Sequence, residues 1–123
     1  MQIVMEGRNF VIALNLNRSN IDKVEEKLND FFVSNGYKPI GYADKGLIFQ
    51  KGNRIFTYAG LTNWNYVFRI VNVDIVNEKR EILLTYYFSW WTNIGILVRA
   101  AIPEVKELQI YLGANSLKVI KFR

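Results

Sequence analysis

Asp74 and Arg69 are the charged residues whose setting most invites a chemical reading, because both fall in the otherwise apolar stretch YVFRIVNVDIV at 66–76. They have opposite parity along a strand, so only a bulge would let them meet as a polar pair in a groove. They read instead as two exposed positions on a half-solvated face, where charged strand residues usually lie. Asp22, Glu25, Glu26 and Asp30 on a first helix, and Glu104 and Glu107 on a second, read as solvated carboxylates. The chain has no histidine and no cysteine. That removes the usual zinc ligands, the usual general base near neutral pH, the hydrolytic triads, disulfides and thiolate metal sites. Catalysis would then need paired carboxylates, a lysine of depressed pKa or a tyrosine acid, and no spacing groups them. No catalytic residue, metal ligand or cofactor is expected. Nor can a GxGxxG or GxxxxGK[ST] phosphate loop be written.

Aromatic residues are the most distinctive feature, with Phe56, Tyr58, Trp64, Tyr66, Phe68, Tyr86, Tyr87, Phe88, Trp90 and Trp91 gathered in one third of the chain. Core filling and cross-strand pairs account for most of them. Neighbours on a strand cannot face the same core, however. If Tyr86, Phe88 and Trp90 point inward, Tyr87 and Trp91 point outward, so the second face is either covered or offers an aromatic surface. Phe68, Tyr86, Trp90 and Val105 are the candidates for lining a ligand cavity, and Trp64, Tyr87 and Trp91 for an interaction surface. Lys51, Arg54, Lys118 and Lys121 could contact an anion, although no recognised nucleic-acid motif accompanies them, and a solvated basic rim is the preferred reading.

The elements that must position these residues follow from periodicity. Phe10, Ile12, Leu14 and Leu16 alternate with Val11, Ala13, Asn15 and Asn17, the pattern of a strand with one buried face. Ile3 to Met5 can extend it through a bend at Gly7. Ser19 and Asp22 approximate a capping box ahead of a helix with Ile21, Val24, Leu28, Phe31 and Phe32 on one side, stopped at Gly36. Turns at Asp44-Lys45-Gly46 and Gly52-Asn53 then divide YKPIGYA, LIFQK and RIFTYA into short antiparallel strands, with Pro39 marking an edge or irregular portion. YVFRIVNVDIV and REILLTYYFSWW form a further hairpin, with Ile82, Leu84, Tyr86, Phe88 and Trp90 sharing one face. Val98, Ala101, Ile102, Val105, Leu108 and Leu112 make a helical stripe, but Pro103 should break a helix interior, so the second helix is expected from about 103 to Gly113. Ser116 to Phe122 either adds a strand or trails along the surface.

The 123 residues suit one domain, since halves of about 60 residues would each bury too little surface. Half the residues are hydrophobic and 22% are charged, which favours a folded core over disorder. The order β-α-β-β-β-β-β-α predicts an α+β fold, a curved antiparallel sheet of about five to seven strands with two helices on one face. This order resembles a reduced version of the helix-grip fold of START-like and Bet v 1-like proteins, and the resemblance implies a helix lying across a sheet that cups an apolar ligand. The uncharged run from Ile82 to Val98 is at the short end of a bilayer span, but Trp90, Trp91, Thr92 and Asn93 occupy its middle, so a core strand turning into a loop is expected. The N-terminus carries no basic segment leading into a long apolar run, and a soluble, cytoplasmic protein is expected. With sixteen basic against eleven acidic residues, the charge of +5 biases partners toward anions. Three readings follow: a noncatalytic module binding an apolar ligand or partner segment, a protein–protein or self-association module, and, less favoured, a nucleic-acid-binding protein.

Overall fold

A computed structural model of the chain describes residues 8–16, 23–43, 46–52, 64, 67–76, 80–88 and 94–122. In chain order the elements are β1 (Arg8–Asn15), α1 (Val24–Ser34), β2 (Lys38–Ala43), β3 (Gly46–Lys51), β4 (Arg69–Val76), β5 (Glu81–Phe88), α2 (Ile94–Leu112) and β6 (Ser116–Phe122). The six strands form one sheet in the order β2-β3-β4-β5-β1-β6, with every adjacent pair antiparallel. The expected α+β class holds, with a curved, unclosed sheet and two helices. The segment from Ser116, expected either to add a strand or to trail along the surface, is a strand paired to β1. The RIFTYA strand lies outside the described residues, as do the capping box at Ser19 and Asp22, Ile21, and the N-terminal extension at Ile3 to Met5.

Alternation builds the core. Phe10, Ile12 and Leu14 on β1 and Ile82, Leu84, Tyr86 and Phe88 on β5 are all fully buried on the helix-facing side. Across the pairings, Val71 lies opposite Tyr86 and Val73 opposite Leu84, which extends that face through β4. Helix α1 packs on β2 and β3, α2 packs on β1 and β6, and the helices touch each other. Val24, Leu28, Phe31 and Phe32 supply the buried side of α1, and Leu97, Ala101, Val105, Leu108 and Leu112 that of α2. Register shifts between Val11 and Ile12 in the β1–β6 pair and between Pro39 and Gly41 in the β2–β3 pair interrupt both outer ladders. Such bulges bend a strand and increase its twist, which curves the sheet at its two ends. Pro39 sits on edge strand β2, where its missing N–H breaks no interior ladder.

The second helix begins at Ile94, nine residues before the expected start, and carries Pro103 in its interior. Proline removes the bond to the carbonyl of Arg99 and crowds it. Both Arg99 and Pro103 are exposed, so water can take that carbonyl and the helix can bend around the core without ending. The uncharged run from Ile82 is thereby divided: its first part is strand β5, and its last part opens α2. Among the described residues no helix is long and apolar enough to cross a membrane.

The far face of the sheet is not bare. Ile48, Phe68 and Ile70 are buried there, with Ile40 and Tyr87 partly buried against them.

Candidate functional site

Beneath the helices lies a cluster of polar side chains assembled from four elements. Helix α1 closes with Gly36 at φ 87°, its N–H bonded to Val33 O at 3.0 Å, while the Tyr37 N–H returns to Phe32 O at 3.0 Å. This is a Schellman closure, and its accompanying apolar contact is the Phe32–Tyr37 ring pair at 5.1 Å. The turn delivers Tyr37, only 2% exposed, into the interior. Arg69 opens β4 on the same face as Val71 and Val73 and is fully buried. Tyr86 arrives from β5, and Glu104 from the buried edge of α2, one turn from Ala101 and Leu108.

The groups are tightly joined. Arg69 Nε donates to the Tyr37 hydroxyl at 2.7 Å, and that hydroxyl donates to Glu104 Oε2 at 2.8 Å and Oε1 at 3.0 Å. The Tyr86 hydroxyl donates to Glu104 Oε2 at 2.6 Å. Arg69 Nη2 and Glu104 Oε1 form an ion pair at 3.6 Å, with the glutamate side chain 10% exposed. Arg69 Nη1 donates to the carbonyls of Val67, at 3.0 Å, and Trp64. The indole of Trp64 lies over the guanidinium, 3.7 Å from Cζ to ring centroid, and the Tyr37 ring lies at 5.0 Å. Arg69 thus stacks on aromatic faces, as arginine does well, while its charge is matched by Glu104.

Burial, reinforced by the Glu104 charge, pushes the Tyr37 and Tyr86 hydroxyls well above the ordinary tyrosine pKa, against the opposing pull of Arg69. Neither hydroxyl can therefore serve as a phenolate base near neutral pH. Lys51 is held below the ordinary lysine value, by partial burial first and by repulsion from Arg69 second, with Glu104 opposing. Its Nζ donates to Asn35 O at 2.6 Å, at the C-terminal end of α1, where the helix dipole favours a cation. What the cluster offers is hydrogen-bond donors around one matched charge pair. Among the described residues no group of three or more acidic side chains is placed to hold a metal ion.

Compared with known proteins, the chain matches no family model and no curated protein. The geometry must carry the reading alone.

Of the expected cavity-lining residues, Tyr86 and Val105 share the main core, but Phe68 belongs to the separate cluster on the far face, because it alternates with Arg69. The structure does not bring it to Tyr86. Trp90, Trp91 and Arg54 lie outside the described residues. Trp64, expected to offer a contact surface, is half-buried and packed over Arg69. Tyr87 is half-buried against the Ile48, Phe68 and Ile70 cluster. Lys51 and Lys118 share no patch: Lys51 on β3 is on the helix side and bonded to Asn35, while exposed Lys118 on β6 pairs in register with Ala13 and faces the other way, four strand spacings off. Lys121 lies on β6 as well, opposite Val11.

Two expectations are corrected. Arg69 is not an exposed strand residue, and its ion pair is with Glu104; Asp74 has the opposite parity on β4 and is half-buried. Glu104 is not a solvated carboxylate but the acceptor of two tyrosine hydroxyls. The signal was present in both cases. Arg69 keeps the period of two of Val71 and Val73, and Glu104 keeps the helical spacing of Ala101 and Leu108, so each is a charge at a core position.

Proposed function

We propose that the chain is a noncatalytic binding module whose site lies where α2 approaches the centre of the sheet, around Trp64, Arg69 and Glu104. The observation that supports this is the fully buried Arg69 stacked under a half-buried Trp64, with donors on both residues lacking any hydrogen-bond partner among the described residues. A buried ion pair adds little net stability over an apolar replacement of the same volume, so its presence in a core of aromatic side chains favours recognition as its use. Trp64, Tyr86 and Phe88 supply the apolar wall, with the rings of Tyr86 and Phe88 each 6.1 Å from that of Trp64. A cytoplasmic setting, expected from the cysteine-free composition, is part of this proposal.

Thermal unfolding in the presence of small aromatic alcohols, ketones, carboxylates and fatty acids tests the reading. A binder present at 100 times its Kd should add about 2.7 kcal/mol to the folded state. The rise should be lost in Trp64→Ala. No rise in Tm with any compound of that panel would sink the reading.

Self-association is the second reading, favoured by one observation. Ile110 is 81% exposed on α2, next to Tyr111 at 48%, whose ring lies 5.9 Å from that of Phe31 on α1. Sedimentation across a range of concentrations should then show a dimer that Ile110→Lys disperses; a monomer throughout removes this reading.

A further inference from the structure

Two donors in the cluster are left over. Arg69 Nη2 is buried without a hydrogen-bond partner among the described residues, since Glu104 Oε1 at 3.6 Å is near enough to attract it but too far to bond it. Trp64 Nε1 is buried and unpartnered as well, although its ring stacks on the same guanidinium. An unmade bond at a buried donor forfeits the full cost of taking that group out of water, and two such donors in one stack call for an acceptor. A third unpartnered atom, Asn72 Oδ1, is on the opposite face of β4 and takes no part.

The charge balance decides which acceptor fits. Glu104 already matches Arg69, and a second carboxylate drawn to Nη2 would add an anion close to the Glu104 carboxylate, in surroundings where like charges repel strongly. An uncharged oxygen takes both donors without that penalty, and a hydroxyl could also donate to Glu104. Resting on the binding reading above, we propose that the recognised group is a neutral carbonyl or hydroxyl oxygen on an aromatic body, accepting from Arg69 Nη2 and Trp64 Nε1 while its ring packs by Trp64 and Phe88.

Heteronuclear NMR of the indole N–H groups of the full chain reads this directly, the Trp64 resonance being the one that disappears in Trp64→Phe. Acetophenone and benzyl alcohol should each shift it saturably, and toluene and benzoate should bind at least about tenfold more weakly, the worth of one such hydrogen bond. In Trp64→Phe, titrated through the backbone amide resonances, acetophenone should weaken about tenfold with toluene unchanged, which a purely apolar cavity would not produce. Tighter binding of benzoate, or equal binding of toluene, overturns the neutral-oxygen proposal and leaves the binding reading in place. No response to any of the four probes overturns the proposal and counts against the binding reading too. The wild-type titration decides these outcomes even if the variant fails to fold.

Discussion

Taking a guanidinium out of water costs several kcal/mol before any partner is counted, and Arg69 offsets that cost with bonds to Tyr37, Val67 and Trp64 and with the charge of Glu104. Removing the charge while keeping the shape, as in Glu104→Gln, should lower the unfolding free energy by about 3–5 kcal/mol in urea denaturation, because the cation is left unmatched. Arg69→Met combined with Glu104→Leu should lose less than the sum of the two single changes, the sign of direct coupling. The tyrosines make a separate prediction. Their folded pKa values are raised, so the unfolded chain ionises first: the contribution is intact below about pH 10, the ordinary value, and stability falls as pH climbs through and beyond it. In an alkaline titration, phenolate absorbance from Tyr37 and Tyr86 should appear only with unfolding, and early ionisation of all seven tyrosines would contradict it. At this scale the sequence was half legible. The positions of Arg69 and Glu104 carried core spacing, but their charges argued for water, and their partners stand far off in the chain, Arg69 being 32 positions and Glu104 67 positions from Tyr37.

Elements were easier to read where a side-chain period met a definite stop. The faces of β1, β5 and α1 follow alternation and helical spacing closely, and the glycines at 36 and 113 end their helices with positive φ. Misreading occurred at Pro103, where a local rule, that proline ends a helix interior, was outweighed by packing on both sides of it: Leu97 and Ala101 before it, Val105 and Leu108 after. Since Pro103 and Arg99 face solvent, Pro103→Ala should restore one helical hydrogen bond and raise stability by about 1–3 kcal/mol. Thermal unfolding checks this. A fall instead would mean that Pro103 helps to aim Glu104 at Arg69.

One core cluster draws on β1, α1, β3, β4, β5 and α2, so none of these six elements can lose its packing without disturbing the others. Unfolding should be a single cooperative transition, with near-ultraviolet and far-ultraviolet circular dichroism changing together in urea; separated midpoints would show a second unit. The class of fold could be read from the sequence because it needs only element order and burial patterns. The cluster could not, because it depends on which elements meet across the core.

Tyr37 stands at that meeting point, rigidly attached to the end of α1, accepting from the sheet and donating to α2. Its hydroxyl is the one atom at which all three bodies meet, while the Tyr86–Glu104 and Lys51–Asn35 bonds tie them only two at a time. The tilt at which one helix leaves the sheet and the depth at which the other settles become one adjustable quantity rather than two. Lengthening the chain by a residue between Gly36 and Tyr37 would therefore displace α2 as much as α1, although Glu104 on α2 lies more than half the sequence away.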